Sequence, residues 1–260
     1  MKLFLFAVIL YLRIMKQRFF VQLQYDGSAY AGWQRQPDAM SVQQRLDEAL
    51  SLLLRSEIAT TGAGRTDSGV HARQMIAHFD AEPSFDCTEL ARRVNRVLPK
   101  DIAMERIWPV ADDMHARFSA RRRTYRYYVH LGKDAFIWHH SFELHGNIDF
   151  LLMNKAASHL LSVSDFAAFA KTHTDVKTTI CRVDHAQWHQ TDAQHWYFEI
   201  AADRFLRNMV RAIVGTLINV GRGKISIEEF DRIVNSLDRS MAGDSAPAHA
   251  LFLEKIEYEE

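Results

Sequence analysis

One carboxylate stands out among the residues able to do chemistry. Residues 62–72 read GAGRTDSGVHA, which sets Asp67 two positions after Arg65 and among Gly62, Gly64 and Gly69. Glycine permits positive φ and close approach of backbone to a ligand, so a loop of this kind can hold one side chain rigidly at the end of a strand. A carboxylate can serve as a covalent nucleophile without a cofactor, and a neighbouring guanidinium favours its charged form while restraining its rotamer. The same residues also fit a polar turn in which Arg65 and Asp67 are merely solvated.

Two further runs carry positive charge without acids. Residues 114–133, MHARFSARRRTYRYYVHLGK, contain Arg117, Arg121, Arg122, Arg123, Arg126 and Lys133, interleaved with Phe118, Tyr125, Tyr127 and Tyr128. Guanidinium groups neutralise phosphates and aromatic rings stack on unpaired bases, the combination suited to a single-stranded or looped RNA. A solvated basic face is the competing reading. On an alternating strand Tyr125, Tyr127, Val129 and Leu131 share one face, which makes Tyr127 a core residue. Tyr125, nearest the polar start, is placed to protrude into a cleft. Residues 204–227 form the second run. A helix predicted from Phe205 to about Val220 buries Phe205, Leu206, Met209, Val210, Ile213, Val214 and Leu217, and aligns Arg204, Arg207 and Arg211 on one face. That face suits either solvent or the wall of an RNA groove.

Other chemistries lack their motifs. There is no His-Glu-x-x-His, no calcium-loop spacing, no Gly-Lys-Ser/Thr and no serine-hydrolase elbow, and Asp67 stands where a dinucleotide fingerprint needs its third glycine. The thirteen histidines fall at no ligand spacing, so no metal site is expected. Cys87 and Cys181 form no Cys-x-x-Cys pair, which fits free thiols in a reducing cytoplasm. Lys plus Arg equals Asp plus Glu at 32 each, so only local patterning argues for a nucleic-acid partner.

The 260 residues, 48% of them apolar, suffice for one large or two smaller cores. Strands are predicted at 19–25, 57–61, 75–81, 102–110, 124–131, 179–189, 195–201 and 250–258. Helices are predicted behind Ser41, at 88–98, at 149–161, at 205–220 and at 227–237. This irregular mixture without a βαβ beat indicates an α+β fold with a largely antiparallel sheet. A boundary near Asp112 separates lobes 16–112 and 113–260. Residues 1–15 form an extension or an over-extended start: the apolar run 3–12 is too short to span a bilayer, and no membrane association is expected.

GAGRTDSGVHA resembles the signature loop of the tRNA pseudouridine synthase A family, commonly GRTDAGVHA. YDGSAYAGWQRQ, SVQQRLDEAL, VNRVLPKDIAM, HARFSARRRTYRY and RNMVRAIVGTL are similar to further blocks of that family in the same order. Ser68 departs from the usual alanine and could add a hydrogen bond; Ala250 stands where many members have glycine. The resemblance implies that Asp67 is the nucleophile, that Tyr125 contacts the target base, that Arg211 is the basic partner of Asp67 across the cleft and that Arg65 shapes the loop. It implies isomerisation of uridine to pseudouridine at positions 38–40 of the tRNA anticodon arm, without cofactor or metal, by a cytoplasmic homodimer. The implied fold is two pseudo-symmetric lobes sharing a mainly antiparallel sheet flanked by helices, with a central RNA-binding cleft. Arg121 and Arg122 are the expected phosphate contacts. A non-catalytic tRNA-binding or chaperoning protein and a nucleoside hydrolase are the rival functions.

Overall fold

The computed structural model describes residues 16–171 and 177–259; the extension expected over residues 1–15 lies outside them. Strand β1 (Gln17–Tyr25) is buried almost continuously from Phe19 to Val21 and on to Leu23, because it runs between two antiparallel neighbours rather than at an edge. A polar residue at every second position is therefore not required of it. The neighbours are β3 (His71–Ala81), which β2 (Thr61–Gly62) joins, and β4 (Ile102–Pro109). Helix α1 (Val42–Leu54) starts where the Ser41 side chain accepts from the Gln44 N–H, and turns Val42, Leu46, Ala49 and Leu50 inward. Helix α2 (Cys87–Val97) is capped in the same way by Asp86 and buries Leu90, Ala91 and Val94.

The second half repeats this economy. Strand β5 (Ala120–Leu131) lies between β8 (His195–Ala202) and β9 (Leu251–Tyr258), with β7 (Val183–Gln190) outside β8 and the short β6 (Phe142–Leu144) beside β5. Asp149 caps α3 (Phe150–His159), and Ser226 with Glu229 makes a reciprocal capping box for α5 (Ile227–Ser236). The central helix of this half is α4 (Met209–Gly221). The fold is α+β, as the sequence indicates, and its sheet runs in the order β4-β1-β3-β9-β5-β8-β7. Among the described residues only β3 with β9 and β5 with β6 pair in parallel.

Two apolar clusters fill the molecule. One gathers Leu23, Leu46, Leu50, Met75, Phe79 and Val94, and the other Tyr127, Phe166, Phe169, Trp188, Phe198, Val214 and Phe230. They interlock: Leu253 and Ile256 of the last strand complete the first cluster, whereas Val70, within the GAGRTDSGVHA segment, belongs to the second. Tyr125 packs against both.

Element bounds shift in places, the strand expected at 179–189 beginning at Val183, and three differences have a plain physical reason. The strand expected at 57–61 shrinks to its last residue plus Gly62, because α1 side chains take the backbone donors that a ladder would need. Ser51 Oγ accepts from Ile58 N at 2.9 Å, and Asp47 Oδ1 accepts from both Thr60 N and Thr60 Oγ1 at 2.9 and 2.7 Å. Helix α4 starts at Met209 rather than Phe205, since Asn208 adopts a left-handed conformation (φ 67°) that helical periodicity does not reveal. The three residues of β6 are too few to show a strand pattern and were not expected.

Histidine 78 in β3 is buried, and its Nδ1 accepts the Ala116 N–H at 3.2 Å. Burial, assisted by the charges of Arg18 and His115, pushes its pKa down to about 4. An unfolded histidine titrates near 6.5, so its contribution to stability is complete above about pH 6.5 and declines as pH falls toward 4. Denaturant unfolding at about pH 7.5 and about pH 5 is expected to show a stability loss on acidification that shrinks in His78→Gln; equal losses in both proteins would remove His78 from this account.

Candidate active site

The loop that carries Asp67 is fastened at nearly every residue. β2 pairs Gly62 with Ala77, and Ala63 N donates to Ile76 O at 2.8 Å. The Thr66 hydroxyl meets the buried Tyr25 hydroxyl at 2.8 Å, and Thr66 O accepts from Trp33 N. Asp67 O accepts from Val70 N, while Ser68 Oγ and Gly69 N both donate to Tyr30 O. Ser68 thus makes the additional hydrogen bond anticipated from its replacement of alanine. Of the three glycines singled out in the sequence, only Gly69 has a positive φ, 77°. A glycine outside the motif matters as much: Gly32 has φ 90°, and a Cβ there would lie 2.3 Å from Thr66 O. The residues 26–40 therefore press directly on the backbone beside Asp67.

The carboxylate faces cations supplied by the other half of the chain. Asp67 Oδ2 lies 3.6 Å from Arg211 Nη1, and Oδ1 lies 3.7 Å from Arg207 Nε. Both separations are too long for hydrogen bonds, so among the described residues the two oxygens are flanked by charge yet keep their lone pairs free. Arg211 is held in place by a reciprocal pair with Ala246, its Nε donating to Ala246 O at 2.7 Å and its carbonyl accepting from Ala246 N. Arg207 was expected on the same helical face as Arg211. It instead precedes α4, and the left-handed Asn208 swings it to the opposite oxygen of Asp67.

A cleft of about 1420 Å³ opens around this pair. Nine lysine and arginine side chains line it, against two aspartates, Asp67 and Asp203. Tyr125 is half-buried there, edge-on to Phe205 with ring centroids 5.1 Å apart. Burial raises the pKa of its hydroxyl, and the charge of Asp67 raises it further, so the phenol stays protonated. Tyr127 is fully buried, as expected, and donates to Pro247 O.

The other expected residues separate. Arg65 lines the cleft, exposed and without an ion pair among the described residues. Arg121 also lines it and, among the described residues, makes only an exposed pair with Glu259. Arg122 points elsewhere: it lies outside the cleft lining, clamped by Asp184 at 2.8 Å and Glu257 at 3.1 Å, and these carboxylates raise its pKa. The alternation of β5 sends neighbouring arginines to opposite faces, which a count of arginines does not show. Arg123 is the residue whose role was missed. Its guanidinium donates to four carbonyls, those of Ala63, Arg117, Ala120 and Asp203, at 3.1, 2.6, 3.0 and 2.6 Å, and so ties the Asp67 loop to the opposite wall. Its place two residues before Tyr125, on the same face of an alternating strand, was the available cue.

Two groups of histidines and carboxylates close up in space although they follow no ligand spacing along the chain: Asp26, His71 and His140, and His185, His189 and Glu199. Neither lines the cleft. His71 Nδ1 already accepts Gly27 N–H while its Nε2 donates to His249 O, and Glu199 is bound to Arg126 at 2.7 Å.

The family model described as tRNA pseudouridine synthase matches residues 22–119 and 156–259. The chain is 51% identical over 243 residues to the tRNA pseudouridine synthase A of Bacteroides fragilis, covering 93% of this chain and 96% of that protein. It is 51% identical over 245 residues to the protein of the same name from Parabacteroides distasonis, covering 94% and 97%. The chain belongs to the tRNA pseudouridine synthase A family. Asp67 falls in the first matched segment and Arg207 and Arg211 in the second, with Tyr125 in the residues between them.

Because Gly32 combines a positive φ with a close carbonyl, Gly32→Ala is expected to cost about 1–3 kcal/mol and to displace the Asp67 loop. Chemical denaturation combined with a turnover assay checks this. Unchanged values of both would show that the loop does not depend on that contact.

Proposed function

We propose that this chain, a tRNA pseudouridine synthase, isomerises uridine at positions 38–40 of the anticodon arm with Asp67 as its nucleophile. The observation that supports this reading most is the Asp67 carboxylate, 23% exposed, flanked by Arg207 and Arg211 inside a cationic cleft with a half-buried tyrosine. The reaction breaks the C1′–N1 bond, turns the uracil and joins C1′ to C5. A proton leaves C5 and one is gained at N1, so substrate and product contain the same atoms and no reductant or high-energy group is consumed. A lone carboxylate can open this sequence by attack at C1′, by assisting departure of the base or by addition at C6, and all three need the oxygen lone pairs that Asp67 leaves free.

The base must first leave the RNA stack, at a cost of about a few kcal/mol. Cleft-wall cations not engaged by Asp67 or by carbonyls, such as Arg65, Arg117 and Arg121, would offset that cost by releasing counterions from backbone phosphates, and a loop or stem end requires the least unstacking. Tyr125 offers a ring on which the turning uracil can stack, and its proton is retained because burial and Asp67 both oppose ionisation. Arg211, anchored by Ala246, and Arg207 hold the carboxylate in register with that ring. Arg65 completes the loop's cationic rim. We read the enzyme as a cytoplasmic homodimer. Free thiols at Cys87 and Cys181 support the compartment, and no helix among the described residues is long and apolar enough to cross a membrane.

Incubation of unmodified tRNA with the pure protein, assaying pseudouridine and free uracil together, is expected to give pseudouridine alone at 38–40. No product would favour a tRNA-binding or chaperoning role, and uracil release a nucleoside hydrolase. Asp67→Asn should abolish turnover while tRNA binding persists; near-normal turnover would end the nucleophile assignment. Removing a phosphate contact lowers the salt slope of binding by about one. Arg121→Ala should do so, whereas Arg122→Ala should leave that slope unchanged because its charge is already engaged by Asp184 and Glu257. The reverse ranking would show that the intramolecular pairs of Arg122 yield to RNA.

A further inference from the structure

Phe118 is 73% exposed, yet it does not sit on a loose loop. Its turn is fastened from both sides. Two imidazoles receive its backbone donors: Ala116 N donates to His78 Nδ1 at 3.2 Å, and Arg117 N and Phe118 N donate to His115 Nδ1 at 3.1 and 3.3 Å. Its carbonyls are taken as well, Ala116 O by the Tyr258 hydroxyl at 2.7 Å and Arg117 O by Arg123 at 2.6 Å. The His115 ring lies under the Phe118 ring with centroids 4.3 Å apart, and the His78 ring lies 4.6 Å behind it. Burial lowers the pKa of both histidines, which keeps their Nδ1 atoms available as acceptors near neutral pH.

With its backbone fixed and one side of the ring set against His115, the phenyl leaves its other face to solvent. Its surroundings indicate what that face is for. The turn forms part of the cleft wall together with Arg121 and Arg182, and the Arg117 guanidinium lies 5.6 Å from the ring. Exposed aromatic surface bordered by guanidinium groups is matched by an unpaired nucleobase, which supplies a flat ring and brings a phosphate with it. Other exposed aromatics, Phe136 and Trp138, lie outside the cleft and carry no such argument.

We propose that Phe118, backed by His115 and flanked by Arg117, is a stacking platform for an unpaired nucleobase neighbouring the one that reaches Asp67. This rests on the reading of the cleft as an RNA site. The platform is ready before RNA arrives, so its contribution falls on binding and on placement of the strand rather than on the bonds that break and form.

Binding of a tRNA transcript, measured in the Asp67→Asn background, separates the platform from the chemistry. Stacking lost in Phe118→Ala should weaken binding by about 5- to 150-fold. Phe118→Trp should bind as wild type does, and Phe118→Leu should resemble the alanine variant because it restores volume without a ring face. In the otherwise wild-type enzyme the same changes should appear in KM, with kcat altered by less than about two-fold. Thermal unfolding should be nearly unmoved, as befits an exposed side chain. Binding by Phe118→Ala equal to the parent, or rescue by leucine as complete as by tryptophan, would overturn the proposal. Absence of pseudouridine formation by the wild type, with the binding pattern intact, would instead count against the enzymatic reading and leave the platform standing.

Discussion

The site depends on holding an acid from one core against two bases from the other. Asp67 belongs to a loop that enters the first cluster at Ala63, and Arg207 and Arg211 sit beside Leu206, Val210 and Ala212 of the second, so their 3.6–3.7 Å spacing is a statement about how the halves are joined. The join is made by the last strand. β9 pairs in parallel with β3 at His71 and Ala72, immediately after the Asp67 loop, and antiparallel with β5 through Tyr125. A strand pairing on both sides fixes both neighbours at sheet spacing, which no flexible linker could do. Val70 inserting into the second core and Arg123 reaching Ala63 O tighten the same seam from opposite directions.

Charge is handled by segregation. The chain is neutral overall, yet the cleft holds nine cations and two acids. Elsewhere arginines are matched to carboxylates, as in Arg18 with Asp80, Arg122 with Asp184 and Glu257, and Arg126 with Glu199. Exposed pairs of this kind add little stability, about 0–1 kcal/mol each. Their effect is to cancel charge away from the cleft, so that the potential there attracts a polyanion without making the whole surface sticky. Arg123 takes a third course: carbonyl dipoles surround its guanidinium, which keeps its positive charge uncancelled while the side chain serves as a brace.

Much of this architecture was legible one segment at a time. Ser41 announces a helix start because a capping side chain acts on its own next turn, a contact that sequence distance alone determines; Asp86, Asp149 and Ser226 cap their helices by the same local contact. The strand at 57–61 was misread because its donors are taken by Ser51 and Asp47 on a different element. The helix start at Phe205 was misread because the left-handed Asn208 interrupts a periodicity that its neighbours continue.

Residue order alone places Asp67 in a tight glycine-bearing loop, separates Tyr125 from Tyr127 and reveals two acid-free arginine runs. Those are properties of residue type and near-neighbour spacing. Folding in three dimensions is what brings Arg207 beside Arg211 at Asp67, engages Arg122 with Asp184 and Glu257, and sets Gly32 against Thr66. Each of these pairs elements distant along the chain, and their meeting follows from strand order and packing, which no local pattern encodes.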